Sequence, residues 1–292
     1  MIRSAPKLYL DCIKNARDLY LHGLGTNIRK FIDLNKSKIN KSKRLVYYWI
    51  KNRRPINIAD LIKITTNIQF LYLLKKAKYI SAYESPHLIK LPSKLTRDLA
   101  YLCGYHMGDG CITRNNLQIY YMDTREQLIK ISDIYRKNFG ISLKIKKHAT
   151  KGAFTAVITS KALAYLLHYC LSLPIGKKKK LFLPHWIDSK LKKEFIIGFL
   201  DAEFGIKRKE FEFSGSSIDK NFLCKLQKEL IKLGLDLKLY GPYSSHNDPN
   251  PRWFLKTSKV SDMYLLAEEE FIRHPNNLKV LNIHILNHAP VV

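Results

Sequence analysis

Two stretches of this chain read alike, and a chain that carries one unit twice has few ways to fold. In the first, FGISLKI (139–145) leads through a polar turn into AVITSKALAYLL (156–167). In the second, LGLDLKL (233–239) leads through a longer Pro/Asn turn into FLKTSKVSDMYLL (254–266). Each offers a Gly, an alternating strand, a turn, a second strand ending in Thr-Ser-Lys, and a helix. The segments before them, TREQLIKISDIYRKN (124–138) and SIDKNFLCKLQKELIKL (217–233), both place apolar residues at three- and four-residue spacing, the mark of an amphipathic helix. Further upstream lie DLAYLCGYHMGDGCI (98–112) and EFIIGFLDAEFGI (194–206), each apolar with a Gly midway and an acid near the end. Each precedes a short strand, LQIYYM (117–122) or KEFEFS (209–214). The expected fold class is α+β: a duplicated core of antiparallel sheets and helices, with repeats at 95–190 and 191–292. Residues 1–90 look helical and are expected to form a small all-α domain, joined by the Pro-interrupted linker SPHLIKLPSKLT (85–96).

The charge balance narrows the partner. Lys and Arg number 51 against 24 Asp and Glu, a formal net charge of +27, which a fold tolerates best beside a polyanion. Basic residues interrupt every apolar stretch well short of the ~18–20 residues that span a bilayer, and the N-terminus lacks a signal-peptide core. A cytoplasmic protein without membrane contact is expected. The five cysteines, Cys12, Cys103, Cys111, Cys170 and Cys224, are scattered, so neither a zinc finger nor a disulfide framework is expected.

LCGYHMGDG (102–110) and IIGFLDAEF (196–204) resemble the two copies of the LAGLIDADG motif of homing endonucleases. The resemblance implies a single-chain monomer with internal pseudo-twofold symmetry. Its motif helices pack side by side, and a saddle of antiparallel strands from each half lies in the major groove of double-stranded DNA. It also implies that the eighth motif residue of each copy, Asp109 and Glu203, binds Mg²⁺ (or Mn²⁺) and acts on one strand. The residues agree with this reading. Gly104, Gly108, Gly198 and Ala202 recur at four-residue spacing, which lets two helices approach closely, and a helical Gly costs about 1 kcal/mol relative to Ala. A carboxylate at a helix C-terminus is disfavoured by the free carbonyls there, and a divalent cation reverses that penalty. Two positions depart from the motif. Met107 replaces the first acid of the first copy, a structural position. Phe204 stands where the second copy has Gly, with Gly205 one residue late, which predicts a distorted turn out of the second helix.

The family also places a lysine near each metal site. LPIGKKKKLFLPHWI (173–187) offers Lys178 by register from Pro174, with Lys177 and Lys179 as neighbouring alternatives. HPNNLKVLNIHIL (274–286) offers Lys279. DNA-facing candidates on the strands are Arg114, Gln118, Tyr120, Lys144, Lys146, Lys207, Arg208, Lys209, Lys238, Arg252 and Lys256. Phosphate contacts from such residues supply affinity, and base-edge contacts supply sequence choice.

Near the N-terminus, Leu19 and Leu21 suggest a helix, Gly25 a break, Asn27 a second helix capped by Thr26 or Asn27, and KRLVYYWIKNRRP (43–55), after a polar turn, a third. This resembles the helix-turn-helix of phage-repressor-like regulators. The resemblance puts Lys43, Arg44, Tyr47 and Tyr48 toward the major groove and turns Val46, Trp49 and Ile50 inward, with Lys51, Arg53 and Arg54 on phosphate. The whole chain reads as a site-specific, metal-dependent endodeoxyribonuclease. Two alternatives remain: a DNA-binding transcriptional regulator, or an RNA maturase, that keeps the fold without cleavage. An intein is not expected, because the chain starts at Met and lacks a terminal His-Asn pair.

Overall fold

Leu19 and Leu21 alternate with Tyr20 and His22, and that period of two decides the N-terminal architecture. The computed structural model describes residues 16–35, 39, 41–51, 53–83, 85–149, 152–178, 181–245 and 248–288. Its strands are β1 (Leu19–His22), β2 (Ile56–Asn57), β3 (Tyr79–Ala82), β4 (Ile89–Lys90), β5 (Cys111–Ile112), β6 (Gln118–Asp123), β7 (Lys144–Lys147) and β8 (Phe154–Thr159). In the second half follow β9 (Phe204–Ile206), β10 (Phe213–Ser217), β11 (Lys238–Ser245) and β12 (Asp248–Thr257). The helices are α1 (Arg29–Leu34), α2 (Lys43–Ile50), α3 (Ile58–Ile64), α4 (Asn67–Lys76), α5 (Arg97–Gly108) and α6 (Arg125–Phe139). They continue with α7 (Lys161–Tyr165), α8 (Ser189–Glu203), α9 (Lys220–Lys232), α10 (Val260–Glu268) and α11 (Pro275–His288).

The expectation of an all-α N-terminal domain is wrong. A four-stranded antiparallel sheet in the order β2-β1-β3-β4 runs through it. Leu19 and Leu21 are buried on one face, and His22 Nε2 meets Ser81 Oγ at 2.8 Å on β3. The segment read as a linker contributes β4: Ile89 is fully buried and pairs with Ile80. A two-residue strand is too short to announce itself by periodicity, and its prolines mark only its flanks.

The repeat unit of helix, strand pair, helix, strand pair, helix runs twice, from α5 to α7 and from α8 to α10. The first sheet has the order β5-β6-β8-β7, the second β11-β12-β10-β9. One detail of the repeat differs from the sequence reading. FGISLKI and LGLDLKL are helix ends: Phe139 closes α6, Leu233 caps α9, and Gly140 and Gly234 take the left-handed backbone (φ 71° and 92°) that terminates a helix. The matched glycines report two C-terminal caps, and the strands begin four residues later.

The chain divides into two compact units that cut across the three segments expected from the sequence. One comprises 1–95, 111–120 and 129–176. The other comprises 96–110, 121–128 and 177–292, and so contains both motif helices. Its core is aromatic and aliphatic: Phe195, Phe199, Phe213, Phe222, Leu226, Leu255 and Phe271 are all buried. The cysteines among the described residues are free, and Cys12 lies outside them. Among the described residues no helix is long and apolar enough to cross a membrane.

Candidate metal and DNA site

Thr96 starts α5 by accepting Leu99 N–H at its hydroxyl (3.1 Å), and Asp188 does the same for α8 with Leu191 (2.9 Å). From these caps the two motif helices run together with backbone against backbone. A Cβ on Gly104 would fall on the carbonyl oxygen of Phe195, and one on Gly198 would fall on that of Tyr101. The contacts are reciprocal and leave no room for a methyl. Nearer the ends, a Cβ on Gly108 would stand 2.5 Å from Ala202 Cβ and 2.9 Å from Glu203 Cγ. Glu203 Oε1 lies 3.4 Å from that same point, so the second carboxylate rests against the residue that precedes the first.

Asp109 caps α5, its N–H donating to Tyr105 O, and Glu203 is the last residue of α8. Both keep an exposed edge while neighbouring groups crowd their carboxyls. Burial pushes Asp109 up to about 7, and the negative charges of Glu203 and Asp123 add to it. Glu203 is also raised by burial, against the pull of Lys178 and Arg252. Lys178 donates to Gly108 O at the C-terminal end of α5 and acts on both carboxylates. This is a favourable place for a cation, because the last-turn carbonyls are unpaired. Lys177 is exposed, and Lys179 lies outside the described residues.

Lys279 is exposed on α11. It is the imidazole of His274 that acts on Asp109, and the guanidinium of Arg252 that acts on Glu203. His274 is buried, with Nε2 2.9 Å from Asp123 Oδ1, and Asp123 also accepts from Tyr105 OH. Burial alone would raise Asp123, but the hydrogen bonds from His274 and Tyr105 hold it below the usual carboxylate range. Sequence reasoning missed Asp123, Tyr105 and His274. The only local signals are an acid closing a strand (YYMD) and a His-Pro pair opening a helix.

Asp201, the first acid of the second motif, is structural. Its Oδ1 accepts Arg273 N–H (2.8 Å) and His274 N–H (2.9 Å) at the start of α11, and its Oδ2 accepts Tyr101 OH (2.7 Å). Met107, at the matching place in the first motif, is wholly buried. Phe204 does not distort its turn. α8 passes straight into β9, with Phe204 in extended backbone (φ −110°, ψ 149°), buried and paired with Gly215.

The DNA-facing candidates separate. Gln118, Tyr120, Lys144 and Lys146 line one depression of about 580 Å³ on the first sheet, with Thr159 and His87. Arg114, in the turn after β5, lays its side chain where a Gly176 Cβ would be. On the second half, Lys207 and Lys256 both pair with Glu212 (2.9 and 3.1 Å), and Lys238 pairs with Asp236 (3.0 Å). Arg208 and Lys209 are exposed. On α2, Lys43, Arg44 and Tyr47 are exposed, Tyr48 is half-buried, and Trp49 is buried, with Val46 and Ile50 intermediate. Arg53 and Arg54 follow, both exposed.

Residues 97–168 match the family model of the LAGLIDADG-like domain. Over 233 residues, 77% of this chain, the sequence is 23% identical to a "probable translation initiation factor IF-2" of Methanocaldococcus jannaschii, of whose length it spans 18%. The solved structure of I-DmoI in complex with DNA and Ca is 18% identical, covering 64% of this chain and 98% of that one, with a TM-score of 0.44. The LAGLIDADG meganuclease I-AabMI bound to uncleaved DNA is 14% identical, covering 66% and 91%, with a TM-score of 0.41. The N-terminal LAGLIDADG domain of DUF199/WhiA is 12% identical, covering 60% and 83%, also with a TM-score of 0.41. The first acid-tipped helix and the sheet that follows it are thus a LAGLIDADG-like domain, at residues 97–168 of an α+β chain.

Proposed function

We propose that the chain is a site-specific, divalent-metal-dependent endonuclease of double-stranded DNA, working as a pseudo-symmetric monomer. The observation that carries this reading is the pair of helix ends. Two carboxylates come together at the C-termini of α5 and α8, both raised by burial, and the charge of Glu203 raises Asp109 further. A fold gains nothing from such crowding unless a cation is to be held there.

The residues fit a hard divalent ion. Among the described residues no set of three or more His, Cys, Asp or Glu side chains is arranged to hold a metal unaided. Mg²⁺ asks for less, since it keeps several waters and is commonly bound by one or two carboxylates together with substrate phosphate oxygens. Asp109 and Glu203 would supply those carboxylates. When bound, such an ion polarises the phosphoryl oxygen and lowers the pKa of its water.

The remaining work falls to the chain's own groups. Lys178, tied to Gly108 O, acts on both carboxylates and would offset charge on a bound phosphate. Arg252 does so on the Glu203 side. His274, hydrogen-bonded to Asp123, is a further acid–base group that bears on Asp109. The depression lined by Gln118, Tyr120, Lys144 and Lys146 offers donors for base edges and cations for phosphates.

Incubation of the full chain in Mg²⁺ with a randomised duplex DNA library and, in parallel, with a randomised folded-RNA library, beside the Asp109→Asn/Glu203→Gln variant, tests the proposal. Cleavage by the wild type alone supports it. Selection of duplex without cleavage by either protein assigns the chain to gene regulation, and selection of folded RNA assigns it to splicing.

A further inference from the structure

The surface of α2 and the chain just after it carries chemistry that the paired carboxylates do not use. From 43 to 54 there are five Lys or Arg in addition to two tyrosines, and no acid. Trp49 is buried and anchors the helix, while Ser42 caps it by accepting Leu45 N–H (3.3 Å). The chain then folds back. Arg53 N–H and Arg54 N–H both donate to Tyr48 O, at 2.8 and 3.3 Å. That reversal brings two guanidiniums over the tyrosine rings. Arg54 lies 5.5 Å from the centre of the Tyr48 ring, and Arg44 lies 5.6 Å from it. Arg44 Nε also donates to Tyr48 OH at 3.0 Å. Lys51 and Arg53 each lie 6.0 Å from the centre of Tyr47, which is 46% exposed. The two rings are neighbours, 6.0 Å apart and inclined at 58°.

We infer that this face binds an unpaired nucleic-acid strand, with bases stacking on Tyr47 and Tyr48 and phosphates held by Arg44, Lys51, Arg53 and Arg54. Aromatic faces set among cations are how single strands are gripped without regard to sequence. A duplex offers no such contact, because its base faces are covered by their neighbours and only edges show in the grooves. The inference does not depend on whether Asp109 and Glu203 support cleavage.

The test uses the full chain without divalent metal at ~150 mM salt. The probes are a fluorescein-labelled oligodeoxythymidine of about 20 nucleotides, its duplex with oligodeoxyadenosine, and a single strand carrying 2-aminopurine. Tyr47→Ala/Tyr48→Ala is expected to weaken single-strand binding about thirtyfold, roughly 2 kcal/mol at 1.4 kcal/mol per tenfold, and duplex binding less than about threefold. Tyr47→Phe/Tyr48→Phe keeps the rings and is expected to bind as the wild type does, which also controls for folding. Quenching of 2-aminopurine by the wild type is expected to disappear in the alanine variant. Equal losses for strand and duplex would overturn the inference and assign α2 to groove docking. Unchanged single-strand binding, absence of quenching, or a phenylalanine variant as weak as the alanine one would also overturn it.

Discussion

Gly215 lies directly opposite Phe204 in the β9–β10 pair, and the Phe204 ring occupies the space that a Gly215 side chain would need. The first repeat reverses the two sizes. The register that pairs Cys111 with Tyr120 sets Gly110 against Tyr121, and the ring over Gly110 there is His106, whose Nδ1 shares a hydrogen bond with Tyr121 OH (2.6 Å). Large and small residues have changed strands between the repeats, so the bulk at Phe204 is compensated locally and Glu203 keeps its place.

That exchange is testable as a coupled pair. Gly215→Ala is expected to cost about 1–3 kcal/mol by overpacking against Phe204, and Phe204→Ala about 3–5 kcal/mol through the cavity it leaves. The double variant Phe204→Ala/Gly215→Ala is expected to lose less than the two single losses added together, by about 1 kcal/mol or more. Urea denaturation of the four proteins measures the coupling. Additive losses would mean the two positions do not share one space.

Gly104 and Gly198 are expected to reject even a methyl. Ala gains about 1 kcal/mol over Gly in a helix interior, yet here each Cβ meets a carbonyl of the opposite helix, and a net loss of about 1–3 kcal/mol is expected for either Gly→Ala change. A thermal or urea transition that moves upward instead would show that the helices can part without cost.

The paired carboxylates make metal-free stability depend on pH. With Asp109 raised to about 7, first by burial and then by Glu203 and Asp123, the folded chain holds that proton more tightly than the unfolded chain does. The resulting stability is full below the ordinary carboxylate range and is lost as pH rises through about 7. In EDTA the urea midpoint of the wild type is expected to fall between pH 5.5 and 8. The change is roughly 1 kcal/mol once solvent access to the carboxyl is allowed for. Asp109→Asn is expected to flatten that slope, and Mg²⁺ to restore the wild type at pH 8 but not the variant. An equal slope in both proteins would refute the crowding.

Asp201 is expected to matter for folding and not for metal. Asp201→Ala strips two backbone N–H groups and the Tyr101 hydroxyl of their acceptor, at a cost of about 2–4 kcal/mol. Asp201→Asn keeps one acceptor oxygen and is expected to cost about half as much. Calorimetric titration with Mn²⁺ in the folded Asp201→Asn protein is expected to match the wild type.

DNA affinity carried by the first sheet is expected to show in its salt dependence. Lys144→Gln/Lys146→Gln removes two exposed cations and is expected to lower the slope of log affinity against log salt by about 2. An unchanged slope would place the duplex elsewhere.

What the sequence determined by itself was periodic and local. The amphipathic helices, the small residues at 104, 108, 198 and 202, and the acids at the two helix ends all lie within windows of a few turns, where backbone geometry alone dictates which residues share a face, and the duplication is these local patterns met twice. What only tertiary structure decided are pairings across the chain. Leu19–His22 became a strand because Tyr79–Ala82 offered it a partner, and four residues carry too few periods to choose otherwise. His274 and Asp123, 151 positions apart, came together because Asp201 fixes the start of α11, and the guanidinium that bears on Glu203 comes from the distant strand β12. A hydrophobic pattern records that a face is buried. It carries no record of which distant side chain will lie against that face, because that choice is made by the packing of whole elements.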